Sequence, residues 1–284
     1  MAPEVTVSQP SSAGLLTDLN FTTMTSSQRI PVKNLKFIAP IVDAKATIIV
    51  DLDTGTVLYE KNADARLPIA SITKLMTAFI ITEDDRLNET VTISENAANT
   101  EGSNMFLRGG EIMALENLFY GVMINSANDA AVALAEHNSG TVDSFVKKMN
   151  EKAQELGLSN THYSNPIGLD TPNNYSSARD LAKLGREVYK NQFIKHAVEL
   201  KELEVKSVDG KYVHALKSTN ELLENEFFHV KGLKTGSTDL AGLCFVSIAE
   251  SDEGNEILTV VLNSPDRFRE TKILIDWAFR AYNW

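Results

Sequence analysis

Ser71 and Lys74 stand three residues apart in a stretch where Lys74 is the only charged residue between Arg66 and Glu83. Apolar residues at 72, 75, 76, 79 and 80 follow helical spacing, so the two side chains are expected on one helix face. A lone lysine in so apolar a helix is costly unless it is paired or used. Burial lowers an ammonium below its ordinary value of about 10.4. A neutral amine beside a serine hydroxyl can take its proton, which is the activation a serine nucleophile needs. The pattern alone is not specific: Ser144-Phe145-Val146-Lys147 repeats it, where Lys147-Lys148 reads as a solvated face.

Two more short patterns follow in the chain. Ser126-Ala127-Asn128 places a hydroxyl and an amide two apart, one able to pass protons and the other to hold a substrate amide. Ser94-Glu95-Asn96 and Ser218-Thr219-Asn220 share that pattern, and a cap or turn is the plain explanation for any one of them. Lys234-Thr235-Gly236 lies in an expected strand and leads into Ser237-Thr238. Lysine and threonine offer a positive charge and a hydroxyl to a carboxylate. Glycine lets another backbone approach, and an exposed strand edge can pair with an extended peptide. Alone, this too would be a strand ending in a turn.

The elements that must position these groups are legible in outline. Ala46-Thr47-Ile48-Ile49-Val50-Asp51 and Thr56-Val57-Leu58-Tyr59-Glu60 are β-rich runs around Asp53-Thr54-Gly55, which predicts a hairpin. Helical segments are expected near 71–82, 111–123, 127–137, 141–156 and 178–190. Strands return at 201–207, 211–217, 230–237, 242–250 and 256–263. Ser264-Pro265 reads as the cap of a last helix carrying Ile273, Leu274, Trp277, Ala278, Ala281 and Tyr282. Strands at both ends and helices between predict an α/β (α+β) fold. One antiparallel sheet is built from both chain ends and flanked by helices, with a mainly helical region at about 70–195 inserted. A cleft between sheet and helices is a common place for a site.

The chain has 284 residues, 43% hydrophobic and 23% charged, as expected for a globular core. It lacks an apolar run of the length of a transmembrane helix. A net charge of -11 argues against nucleic acid as a partner and against general attraction to anionic membranes. The single cysteine, Cys244, forms no internal disulfide and reads as a small buried hydrophobe. Residues 1–36 are rich in Ser, Thr, Pro and Asn and are expected to be a flexible arm, with the folded domain at 37–284. Met1-Ala2-Pro3-Glu4 has neither a basic segment nor an apolar run, so no signal peptide is visible; the signal of an exported protein would have been removed.

In this order, Ser71-x-x-Lys74, Ser126-x-Asn128 and Lys234-Thr235-Gly236 resemble the signature of penicillin-binding proteins and serine β-lactamases. Residues 40–284 are similar in particular to the low-molecular-mass D-alanyl-D-alanine carboxypeptidases. Leu67-Pro68-Ile69-Ala70-Ser71, Ser126-Ala127-Asn128-Asp129-Ala130-Ala131, Asn165-Pro166-Ile167-Gly168-Leu169, Asn220-Glu221-Leu222-Leu223 and Gly232-Leu233-Lys234-Thr235-Gly236 carry the likeness.

The resemblance implies a β-lactamase/transpeptidase-like fold and an acyl-enzyme mechanism. Ser71 would be the nucleophile and Lys74 its base. Ser126, with Lys234, would protonate the leaving amine, and Asn128 would orient the substrate amide. The backbone N–H groups of Ser71 and Ser237 would form the oxyanion hole. Thr235 and Arg267 would hold the terminal carboxylate, with Arg269 close by as a rival. The partners implied are a peptidoglycan stem peptide ending in D-Ala-D-Ala and β-lactams as covalent inhibitors. The location implied is outside the cytoplasm, with membrane contact only through an anchor that is missing or reached through the arm. No metal or cofactor is called for. A D,D-endopeptidase is the nearest alternative. A class A β-lactamase would add Glu-x-x-Leu-Asn between the second and third motifs, and that element is not present. A slow-turnover β-lactam sensor is the remaining alternative.

Overall fold

The computed structural model describes residues 30–224 and 228–284. The expected arm falls mostly on residues 1–29, outside the described residues. Its last part is paired: Val32 and Lys33 lie antiparallel to Asn283 and Tyr282. Ordered pairing thus begins before residue 37.

Five strands form the main sheet: β1 (Ala46–Asp51), β2 (Val57–Lys61), β3 (His229–Thr238), β4 (Gly242–Glu250) and β5 (Glu256–Ser264), in the order β3-β4-β5-β1-β2 with every neighbour antiparallel. The β-branched run of β1 is buried along its whole length. Alternation sends Ile48 and Val50 into one apolar cluster and Ile49 into the other. The β1–β2 turn is closed by Asp51 Oδ1, which accepts from Thr54 N at 2.8 Å. Cys244 is buried on β4, where loss of hydration raises its thiol to about 11.

Among the described residues, seven helices of eight or more residues accompany this sheet: α1 (Lys74–Asp84), α2 (Leu115–Ile124), α3 (Asn128–Ser139), α4 (Val142–Glu155), α5 (Ala178–Val188), α6 (Gln192–Glu199) and α7 (Arg267–Ala281). Helix α7 covers one face through Leu274, Ile275, Trp277 and Ala278, against Ile49, Phe245 and Val261. The helical region covers the other. Its central helix, α1, buries Leu75, Met76, Ala78, Ile80 and Ile81. Among the described residues no helix is long and apolar enough to cross a membrane.

Several details differ from the sequence expectation; the helix expected near 111–123 starts at Leu115, after a short strand at Ile112–Ala114. The strands at 201–217 do not join the main sheet; Glu202–Lys206 and Val213–Lys217 form a separate hairpin. Its alternation buries Val205, His214 and Leu216, which marks strands without saying which sheet they enter. Helix α6 was not anticipated; Asn191 caps it by accepting from Phe193 N and Ile194 N. The cap of α7 is Asp266, which accepts from Arg269 N, whereas Ser264 Oγ accepts from Asp266 N at 3.0 Å.

Candidate active site

The turn that carries Ser71 is a single 3-10 turn, Ala70–Thr73, leading into α1. Ala70 has φ +49°, a strained value for a side-chain-bearing residue, immediately before the serine. Ser71 is partly exposed, whereas Lys74 is fully buried. Lys74 Nζ lies 2.9 Å from Ser71 Oγ, 2.6 Å from Asn128 Oδ1 and 2.7 Å from Ile167 O. Burial holds the ammonium well below its usual range; Lys234 adds to this and Asp129 opposes it. A neutral amine has two N–H groups and one lone pair. In the neutral form the two carbonyl oxygens, which can only accept, would take both N–H groups. The lone pair would then face the Ser71 hydroxyl.

The first two motifs thus meet through one lysine. Ser126 has φ +59° just ahead of α3, which Asn128 opens. Ser126 Oγ is buried and has no hydrogen-bond partner among the described residues. Asn128 is spoken for at both ends: Oδ1 accepts from Lys74, and Nδ2 donates to Glu101 O at 2.7 Å.

The third motif lies on β3, at the edge of the sheet. A Cβ on Gly236 would stand 2.9 Å from Ile69 O and 3.1 Å from Ser71 N, so only glycine lets this strand run so close to the turn of Ser71. Lys234 is 2% exposed and donates to Thr235 O at 3.1 Å. Burial first, and Arg267 second, lower it to about 7. Thr235 Oγ1 is 2.5 Å from Thr219 Oγ1. Arg267 Nη1 donates to Gly236 O at 2.8 Å, which places this arginine at the motif. Arg269 gives its backbone N–H to the Asp266 cap. Ser237 is exposed beside Gly236.

Several groups at the site carried no motif signal. Asn165 Oδ1 accepts from the amides of Ile167, Gly168 and Leu169 at 3.2, 2.6 and 3.1 Å, and so shapes the loop that presents Ile167 O to Lys74. Asp170 ties that loop to the end of β3 by accepting from Thr238 Oγ1 at 2.6 Å and Leu240 N at 3.1 Å. Asp129 is buried and accepts from Met105 N and Leu107 N. Asn165 and Asp129 lie in stretches that carry the family likeness, without a role assigned to either; Asp170 lies outside them, as a partner of groups that the sequence does not mark.

A sequence profile of the D-alanyl-D-alanine carboxypeptidase family matches residues 33–266. The chain is 39% identical over 249 residues to D-alanyl-D-alanine carboxypeptidase DacF of Bacillus subtilis, covering 84% of this chain and 63% of that protein. The D-alanyl-D-alanine endopeptidase of Pseudomonas aeruginosa is 32% identical over 234 residues, covering 82% of this chain and 75% of that one. The crystal structure of the Streptomyces K15 DD-transpeptidase superposes with a TM-score of 0.80 at 31% identity, covering 86% of this chain and 99% of the other. The chain thus spans about two thirds of the length of its Bacillus relative. On the profile match and these identities together, the chain belongs to the D-alanyl-D-alanine carboxypeptidase family.

Proposed function

We propose that this protein is a serine D,D-carboxypeptidase that removes the terminal D-alanine from peptidoglycan stem peptides through an acyl-enzyme. The observation that carries this is the buried Lys74 Nζ, 2.9 Å from Ser71 Oγ and held by Asn128 Oδ1 and Ile167 O. Ser71 Oγ attacks the carbonyl carbon between the two D-alanines and its proton passes to Lys74. The backbone N–H groups of Ser71 and Ser237 hold the oxyanion. As the C–N bond breaks, Ser126 hands a proton to the leaving amine and is resupplied from the lysines. Asn128 orients the substrate amide. Thr235, Lys234 and Arg267 hold the terminal carboxylate, a task suited to cations in a water-poor pocket. Gly236 keeps the strand edge open for the peptide to lie along. Water then attacks the ester and Ser71 regains its proton.

The same chemistry makes β-lactams covalent inhibitors, because they acylate Ser71. A substrate in the cell wall places the enzyme outside the cytoplasm. Cleavage of D,D cross-links is the second reading, favoured by the likeness to the Pseudomonas endopeptidase over 75% of that protein.

The test is D-alanine release from a pentapeptide ending in D-Ala-D-Ala, comparing wild type with Ser71→Ala. Release by the wild type and its loss in the variant, with an unchanged fold, is the expected result. A wild type that acylates with penicillin but releases no D-alanine would move the assignment to the endopeptidase; no acylation at all would remove Ser71 as nucleophile.

A further inference from the structure

Among the described residues, five other than glycine take positive φ: Asn62, Ala70, Phe106, Ser126 and Asn263. Ala70 and Ser126 belong to the site already built. Phe106, at φ +64°, is the bulkiest of the five and costs about 1–2 kcal/mol in this conformation. Its side chain is 82% exposed, so burial of the ring does not offset that cost.

The backbone around it is instead held from several directions. Asp129 clamps the amides on both sides, Oδ1 accepting from Met105 N at 3.1 Å and Oδ2 from Leu107 N at 3.0 Å. Met105 O lies 2.8 Å from Nδ1 of the buried His214, and His214 Nε2 lies 2.7 Å from the buried Glu111 Oε1. Glu111 Oε2 accepts from Arg108 N at 3.0 Å. The start of the loop is fastened to the second motif: Asn128 N donates to Ser103 O at 2.6 Å and Asn128 Nδ2 to Glu101 O. The amide that touches Lys74 on one side therefore holds the Phe106 loop on the other. Strain that is over-determined by buried partners points to use at that position.

We propose that Phe106 is a specificity-determining residue of the same reaction. Its ring is a platform for the side chain of the residue that precedes D-Ala-D-Ala, a long aliphatic chain ending in an ammonium. The argument rests on the carboxypeptidase reading. A substrate whose amide is held by Asn128 continues past the loop that Asn128 holds. An exposed, fixed aromatic face offers apolar contact to methylenes and a quadrupole to a cation.

The test compares D-alanine release from acetyl-L-Lys-D-Ala-D-Ala and acetyl-L-Ala-D-Ala-D-Ala by wild type, Phe106→Ala, Phe106→Gly and Phe106→Tyr. Phe106→Ala is expected to lower kcat/KM about tenfold on the lysyl peptide, mostly through KM, and less than about twofold on the alanyl peptide. Phe106→Tyr keeps the wild-type preference. Phe106→Gly relieves the backbone and does not lower Tm, yet loses the same preference as the alanine variant. Equal losses on both peptides, or no loss on either, would overturn the proposal. A wild type inactive on both peptides would remove the carboxypeptidase reading itself, and the proposal with it.

Discussion

Adding one methyl group at Gly168 tests how Lys74 is held. Gly168 has φ +88°, and a Cβ built there would lie 1.9 Å from Ala70 O, 2.3 Å from Ala70 C and 2.8 Å from Ser71 N. Ordinary contact begins near 3.4 Å, so in a close-packed interior the loop must retreat by about 1.5 Å from the nucleophile's turn. Ile167 O, now 2.7 Å from Lys74 Nζ, then leaves hydrogen-bonding range. A misplacement of about 1 Å costs on the order of a hundredfold in rate, or about 2.7 kcal/mol of barrier. The left-handed backbone adds about 1–2 kcal/mol of instability, a fall of roughly 2–8 °C in Tm. The assay is the second-order rate of Ser71 acylation by a fluorescent penicillin, with circular dichroism as the control for fold. Gly168→Ala is expected to acylate about a hundredfold more slowly. Should the variant misfold, Asn165→Ala serves instead: it frees the three amides of 167–169 without adding an atom, and a fall of about tenfold is expected. A folded Gly168→Ala that acylates within about threefold of wild type would refute the claim that Ile167 O sets the lysine's position.

The pH profile of kcat/KM should lose its alkaline side starting near pH 7, as Lys234, lowered to about 7, gives up the proton that binds the carboxylate. Arg267→Gln removes a positive charge beside Lys234, which favours the ammonium and raises its pKa, so the limb moves to higher pH even as the overall rate drops. A limb that stays or moves down would count against the assignment. His214→Ala leaves the buried Glu111 carboxylate without its partner at 2.7 Å. Calorimetry should show a loss of about 3 kcal/mol, and a loss below about 1 kcal/mol would contradict a structural role for the pair.

The fold was legible where one periodicity ran without competition. β4 and β5 are apolar runs broken by Ser247 and Thr259, and α5 carries Leu181, Leu184 and Val188 at helical spacing. Residues 201–217 alternate just as clearly, yet alternation names a face and not a partner sheet, so the side hairpin was assigned to the wrong sheet. Helix α6 is eight residues, too short for periodicity to stand out. The site was readable as motifs because Ser71, Lys74, Asn128 and Lys234 are marked by their side chains. Ile167 acts through its carbonyl oxygen, and any residue has one. Gly236 and Gly168 matter through the atoms they lack, and only the approach of Ala70 and Ser71 shows why.

The pairing of β1 with β5, Ala46 opposite Leu262 and Ile49 opposite Thr259, has a consequence for how reactivity arises during synthesis. The turn of Ser71 and α1 leave the ribosome before Lys234, Arg267 and three of the five sheet strands. Joining the two ends closes one long loop around the helices, an entropic cost met only when the last strands arrive. Until β5 has been made, β1 lacks the neighbour it pairs with on that side. The arrival of β3 is what brings Gly236 against the turn of Ser71.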